Sequence, residues 1–231
     1  MHKIYDTHFH LDLQKDINQA IEEINKGQIY TIAVTNLPDL YRKEQMQVMS
    51  PYVRFALGFH PELLSKYKHQ IPLMWELLPE SRYIGEVGLD FSSDMDRLEQ
   101  IKFFEDLISR CASDSNKIIS IHSRKAVSTI LDIIDSSYHF KPILHWFTGT
   151  MKELELAIER GFYFSINESM IHTNKGKNIL SIIPPERLLL ETDSPFSKEI
   201  AQRRSLEQTC AFLDPNNTGF LWTNFERMIK G

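Results

Sequence analysis

The sequence predicts an α/β fold in which eight parallel strands alternate with helices and close into a (β/α)8 barrel, one domain spanning residues 1–231. Three observations predict it. Short apolar runs alternate with amphipathic helical stretches along the whole chain, which calls for parallel strands joined by right-handed crossovers. Runs such as IISI at 118–121 and LLL at 188–190 are apolar at every position, as strands covered on both faces are. Histidines and acids stand at the C-terminal ends of different strands. Only a closed barrel brings those ends to one mouth, because the outer strands of an open sheet lie too far apart.

The first strand is KIYDTHFH (3–10), followed by a helix over 16–26 and a second strand, IYTIAV (29–34). Helical spacing over 40–49 leads to a third strand in YVRFALGFHP (52–61), which Gly58 and Pro61 close. A helix over 72–78 precedes the fourth strand, RYIGEVGLD (82–90). Over 94–111, Ile101, Phe104, Leu107 and Ile108 share one face of a long helix. KIISIH (117–122) with a helix over 125–134 makes the fifth pair, and PILHWF (142–147) with 151–160 the sixth. FYFSIN (162–167) and 173–183 make the seventh, and RLLLETD (187–193) is the eighth strand. Helical periodicity resumes over 200–213 and 224–229, and no linker, low-complexity tract or fixed repeat interrupts the pattern.

Six residues carry the chemistry. His8 and His10 are two apart on a strand and therefore share a face. Glu86 lies in IGEVGLD, where the flanking glycines allow close backbone approach. A carboxylate among apolar neighbours is costly to bury unless paired, and a cation pairs it as well as an Arg or Lys does. His122 and His145 end successive strands at equivalent positions, and Asp193 ends another apolar strand. Each alone also reads as a hydrogen-bonded core residue. Four imidazoles and two acids on five strand ends together point to a metal site made of His8, His10, Glu86, His122, His145 and Asp193.

Imidazole and carboxylate without thiolate suit Zn, Mn, Co, Ni or Fe, and Mg where carboxylate and water dominate. Six ligands suffice for two divalent metal ions sharing a carboxylate. Glu86, between the two groups in strand order, is the bridge. Such a pair activates water against a phosphodiester or carbonyl centre, and Asp193 then serves as ligand and general base. His60, after the third strand, reads equally as a stabiliser of substrate charge or a loop anchor. Asp6 and Asp90 read as supporting acids. Arg124 and Lys125 read as phosphate contacts or a solvated helix start, and Trp146 and Phe147 as rim residues that stack a base or simply pack.

Composition narrows the function. A net charge of −5 lacks the basic excess of a dedicated DNA-binding module, so any nucleic-acid contact is local or metal-mediated. Cys111 and Cys210 stand in separate helices and read as reduced core residues. The N-terminus has no signal-peptide core, and no apolar run reaches the roughly 20 residues of a membrane span, which predicts a cytoplasmic protein without membrane contact.

DTHFHLD, GFHPE, IGEVGLDF, IHSR, HWFTG and LLLETDSPF, in this order and at these separations, resemble the TatD-related metal-dependent hydrolases, deoxyribonucleases with an amidohydrolase-like TIM barrel. The resemblance runs from about residue 4 to 196. It implies His8, His10 and Asp193 on one ion, His122 and His145 on the other, and Glu86 between them. It implies phosphodiester cleavage, exonucleolytic from 3′ ends, with His60 near the scissile phosphate and DNA favoured over RNA. The chain departs from the family after Asp193: Phe196-Ser197-Lys198-Glu199 leads directly into a helix, and the usual Arg-x-Asn-x-Pro stretch is missing. That shortened mouth leaves room for a protein partner to complete it. Besides a nuclease, the same metals acting on an ester or amide such as aminoacyl-tRNA, and a barrel subunit of a larger assembly, fit these features.

Overall fold

The computed structural model describes residues 3–92, 96–196 and 201–230. Strand β1 (Ile4–Phe9) leads to helix α1 (Ile17–Gly27), β2 (Ile29–Val34), α2 (Pro38–Gln47) and β3 (Val53–Ala56). Short helices α3 (Leu64–Tyr67) and α4 (Ile71–Leu77) precede β4 (Tyr83–Gly88) and α5 (Arg97–Cys111). Three further pairs follow: β5 (Ile118–His122) with α6 (Val127–Ile133), β6 (Lys141–His145) with α7 (Met151–Glu159), and β7 (Tyr163–Ile166) with α8 (Glu168–Ile171) and α9 (Asn174–Leu180). The chain ends with β8 (Leu188–Leu190), α10 (Gln202–Leu213) and α11 (Phe220–Lys230).

All strand pairings are parallel, running β1-β2-β3 and β4-β5-β6-β7-β8. Two seams join the runs. Leu57 joins β3 to β4 by two backbone hydrogen bonds, its N donating to Tyr83 O and its O accepting from Gly85 N, both at 2.9 Å. Between β8 and β1, Thr7 Oγ1 donates to Leu190 O at 2.9 Å, Asp193 N to His8 O at 2.9 Å and His10 N to Ser194 O at 3.0 Å. The second seam ties two expected ligand segments together through their own backbones.

Local chemistry sets the helix ends. Asp16 caps α1 by accepting from Gln19 N, Asp96 caps α5 by accepting from Leu98 N and Glu99 N, and Thr150 with Glu153 forms a capping box on α7. Phe104, Leu107 and Ile108 of α5 are fully buried, whereas Ile101 on the same face is only partly so. Helix α11 closes the end of the barrel opposite the strand C-termini. Tyr5 donates its hydroxyl to Leu221 O at 2.9 Å and stacks on Phe225 at 4.2 Å, while Asn224 Nδ2 bonds Pro185 O and Leu188 O at 2.7 and 2.9 Å.

The strand order and the helices between the strands agree with the sequence reading to within a few residues, and the differences have local causes. Helix α2 begins at Pro38 rather than 40, because proline is well suited to the first helical turn. Strand β3 stops at Ala56, and residues 61–70 instead form short turns started by Pro61 and the His60 side chain, which accepts from Glu62 N. Such turns are too short to show a helical period. Helix α8, nucleated by Asn167 accepting from Met170 N, was hidden for the same reason. Strand β8 ends at Leu190, three residues early, since Asp193 adopts φ 53° and turns the chain. The expected helix starts at Asp94 and Ile200, and the loop residues 197–199, lie outside the described residues.

Gly58 sets the approach of the β3 extension to β4. A Cβ there would sit 1.6 Å from Thr35 O and 2.6 Å from Glu86 N. Gly58→Ala is therefore expected to lower the unfolding free energy by about 1–3 kcal/mol, read as an earlier urea midpoint at unchanged slope. An unmoved midpoint would mean that the two segments are not in close backbone contact.

Candidate metal centre

At the C-terminal mouth four donor atoms face one another around a small space. His8 Nε2 lies 3.6 Å from both Glu86 Oε2 and Asp193 Oδ1, and His10 Nε2 lies 3.3 Å from the same two oxygens. Both Nε2 atoms are buried and have no hydrogen-bond partner. Ligands about 2.0–2.2 Å from one ion at tetrahedral angles lie about 3.3–3.6 Å apart. These residues therefore fit a divalent cation as they stand, and the orphaned nitrogens need one.

A second cluster gathers on the other carboxylate oxygen of the same glutamate. Glu86 Oε1 lies 2.6 Å from His122 Nδ1, 2.8 Å from His145 Nε2 and 3.6 Å from His60 Nε2. The two shorter distances are hydrogen bonds, so this half is contracted, and admitting an ion requires the rings to part by a fraction of an ångström. Donor atoms of His60, Glu86 and His122 fall within 4.8 Å of one another, as do those of His8, His10 and Asp193. All seven residues singled out in the sequence thus meet in one place. His60 joins them more closely than its loop position suggested.

The supporting residues explain the orientations. Ser120 Oγ is 2.8 Å from His8 Nδ1, which leaves Nε2 facing the carboxylates. Asp90 Oδ2 is 2.8 Å from His122 Nε2, and its Oδ1 accepts from Ser92 N. Asp6, fully buried, accepts from His8 N, Thr192 N, Thr192 Oγ1 and Gln202 Nε2 at 2.6–3.1 Å, and so clamps the β1 and β8 ends together. Both acids play the supporting part expected of them. Glu191 was missed. It is fully buried, accepts from Trp146 N, Asn167 Nδ2 and Ser165 Oγ, and stands 3.9 Å from His145 Nδ1. Its signal was available: in LLLETD it precedes Asp193 by two residues.

Burial and charge oppose each other here. Burial lifts Glu86, but His60, His145, the nearby His10 ring and the hydrogen bond from His122 outweigh it and hold the carboxylate well below its usual range. Burial lowers His10 and His122 as well. The facing carboxylates of Asp193 and Glu86 reverse this for His10, raising it to about 10, and hydrogen bonds to Asp90 and Glu86 raise His122 to about 9. His8 and His60, without comparable short bonds, are lowered by burial to about 4. Burial, then the charge of Asp193, raises Glu191 well above the ordinary carboxylate range.

The cluster forms the floor of a cavity of about 580 Å³ whose walls include Asn36, Arg124, Trp146 and Phe196. Phe196 is 61% exposed and stands edge-on to His10 at 5.2 Å. Phe147 does not reach the rim. It is buried and packs edge-on against Phe164. Cys111 and Cys210 are free thiols, as expected. No helix among the described residues is long and apolar enough to cross a membrane.

Eight parallel strands, alternating helices and an imidazole–carboxylate cluster at the strand C-termini define a metal-dependent hydrolase with a (β/α)8 barrel. The sequence matches the family described as TatD related DNase over residues 5–214, and the chain belongs to that family. It is 30% identical over 193 residues to the 3′-5′ ssDNA/RNA exonuclease TatD of Citrobacter rodentium, covering 79% of this chain and 73% of that one. It is 28% identical over 206 residues to YabD, a metal-dependent hydrolase of Bacillus subtilis, covering 84% and 80%. Among solved structures, YjjV, a TatD homologue of Escherichia coli, superposes with a TM-score of 0.76 over 97% of both chains at 17% identity. A TatD family hydrolase of Entamoeba histolytica gives 0.75 over 98% and 97% at 16%. At such identities these two show the shared barrel.

Cations and protons compete for His10 and His122. Binding of Zn²⁺ or Mn²⁺ at pH 7 is expected to release about two protons per chain, and affinity is expected to rise with pH until about 9–10. Calorimetry in buffers of different ionisation enthalpy reads this directly. A proton count of zero, or affinity independent of pH between 6 and 9, would contradict the arrangement.

Proposed function

We propose that this chain is a two-ion nuclease that hydrolyses phosphodiester bonds of DNA in preference to RNA, releasing nucleotides from 3′ ends. The observation that carries the reading is Glu86, which turns Oε2 toward His8, His10 and Asp193 and Oε1 toward His122 and His145. One carboxylate serving two donor clusters is the arrangement of a bridged pair of ions. In this reading His8, His10 and Asp193 would hold one ion and His122 and His145 the other, with Glu86 available to both. The similarity to the 3′-5′ ssDNA/RNA exonuclease of Citrobacter rodentium supports a nucleic-acid substrate.

When bound, divalent cations supply an activated water and neutralise phosphate charge. The residues supply the rest. Asp193, 4% exposed and lining the cavity, accepts the proton of the attacking water and passes it to the departing 3′ oxygen. His60, lining the same cavity beside Glu86 Oε1, stabilises charge on the scissile phosphate. Arg124 at the rim meets a non-bridging phosphate oxygen, and Trp146 and Phe196 offer ring faces to the terminal base. The buried floor excludes bulk water from the reacting groups.

The test is release of labelled nucleotides from single-stranded oligonucleotides, with simple esters and aminoacyl-tRNA as parallel substrates. Metal-reconstituted protein is expected to cleave the oligonucleotides and to stop when chelated. Asp193→Asn is expected to lower kcat by about 10²–10⁴-fold with a much smaller change in KM. Full activity after exhaustive chelation, or turnover confined to the esters, would refute the proposal.

A further inference from the structure

We propose that the nucleic-acid strand leaves the catalytic mouth along a second, adjoining cleft in which Lys125 and Lys175 hold its phosphates. The inference rests on the nuclease reading and names how that site holds the rest of its substrate. The cleft, of roughly 750 Å³, borders the mouth: Thr148 lines both. Lys125 and Lys175 line the cleft, and both are exposed.

The turn after β5 divides two adjacent cations between the two cavities. Arg124 lines the mouth, while Lys125, with φ 55°, lines the cleft. A non-glycine residue in the left-handed region costs on the order of 1 kcal/mol and persists where its surroundings fix it. Here Ala126 N bonds Ser123 O at 3.1 Å and Phe91 N bonds Arg124 O at 3.0 Å, so both ends of the turn are tied. On the far side, Lys175 of α9 donates to Thr148 O at 2.6 Å, which stations its ammonium at the threshold between the cavities. An ammonium has three donors, and Thr148 takes one.

The cleft also holds an acid, Glu153, but its Oε2 already accepts from Thr150 N and Thr150 Oγ1 at 2.7 and 2.8 Å. That same capping box occupies the start of α7, so attraction for an anion comes from the lysines and not from the helix end. Arg124, Lys125 and Lys175 then mark a path outward from the buried cluster on a chain whose net charge is −5. A polyanion with regularly spaced charges fits a local track of this kind better than it fits the rest of the surface. A single strand several nucleotides long gains both lysines, and a dinucleotide confined to the mouth gains neither.

Length dependence tests this. The Lys125→Gln/Lys175→Gln protein, loaded with Mn²⁺, is compared with the unsubstituted protein on an octanucleotide and a dinucleotide. The double variant is expected to raise KM for the octanucleotide on the order of tenfold and to leave dinucleotide turnover unchanged. The dependence of log KM on log salt for the octanucleotide is expected to flatten by about 0.7 per lysine removed. An unmoved octanucleotide KM, or equal losses on both substrates, would overturn the track. Anisotropy of fluorescent oligonucleotides with the metal chelated separates this from the chemistry. If the unsubstituted protein cleaves neither substrate yet binds the longer strand better, and the double variant loses that preference, the nuclease reading falls and the track stands. Binding indifferent to length overturns the track itself.

Discussion

A carboxylate buried among imidazoles, with no lysine or arginine beside it among the described residues, governs the mouth of this barrel. Glu86 is 3% exposed, and its two oxygens are within 3.6 Å of nitrogens from five histidines that lie after or at the ends of four other strands. Burying a charge in this way is unfavourable unless it is closely paired. The strand ends therefore cannot drift apart without leaving that charge uncompensated. The backbone around Glu86 reflects the demand: Glu86 N bonds Thr35 O, and Phe59 N bonds Glu86 O, at 3.0 and 2.9 Å. Gly58 and Gly88 leave the space that such contacts need, a Cβ at Gly88 falling 2.1 Å from His122 O.

The two ends of the barrel divide the physical tasks. At the N-terminal end the order is conventional packing: Tyr5 on Phe225, and Asn224 tied to the start of β8. At the C-terminal end the backbone is strained. Of the five described non-glycine residues with positive φ, three, Lys125, Trp146 and Asp193, follow β5, β6 and β8 there. Each aims a polar or aromatic side chain toward a cavity, and each is fixed by hydrogen bonds from neighbouring strands. Glu191, a buried carboxyl, accepts from Trp146 N, and Asp6, also buried, accepts from Thr192 N beside Asp193. Strain and buried charge are thus concentrated where the chemistry is.

Much of this was legible in the sequence, for identifiable reasons. Strands such as IYTIAV and IISIH announced themselves because both faces are covered, and the candidate site did so because four imidazoles and two acids end apolar strands together. The cluster's membership followed from one geometric fact, that parallel strands in a closed barrel share a mouth. The hidden parts depend on direction rather than type. Glu191 looked like a neighbour of Asp193 until its side chain proved to turn toward Asn167, Ser165 and the Trp146 amide. Ser120 is an ordinary strand serine whose contact with His8 spans 112 positions. The inward direction of Phe147, against Phe164, is likewise not written in its residue type. Short turns over 61–70 carry no period to detect.

One measurement reaches the central claim, that a single carboxylate is shared by two cation sites. Crystals grown with Mn²⁺ give an anomalous difference map in which each ion appears as a peak. The account expects two peaks about 3.5–4 Å apart, one beside His8, His10 and Asp193, the other beside His122 and His145, with Glu86 between them. A single peak, or two peaks that leave Glu86 uncoordinated, would contradict it.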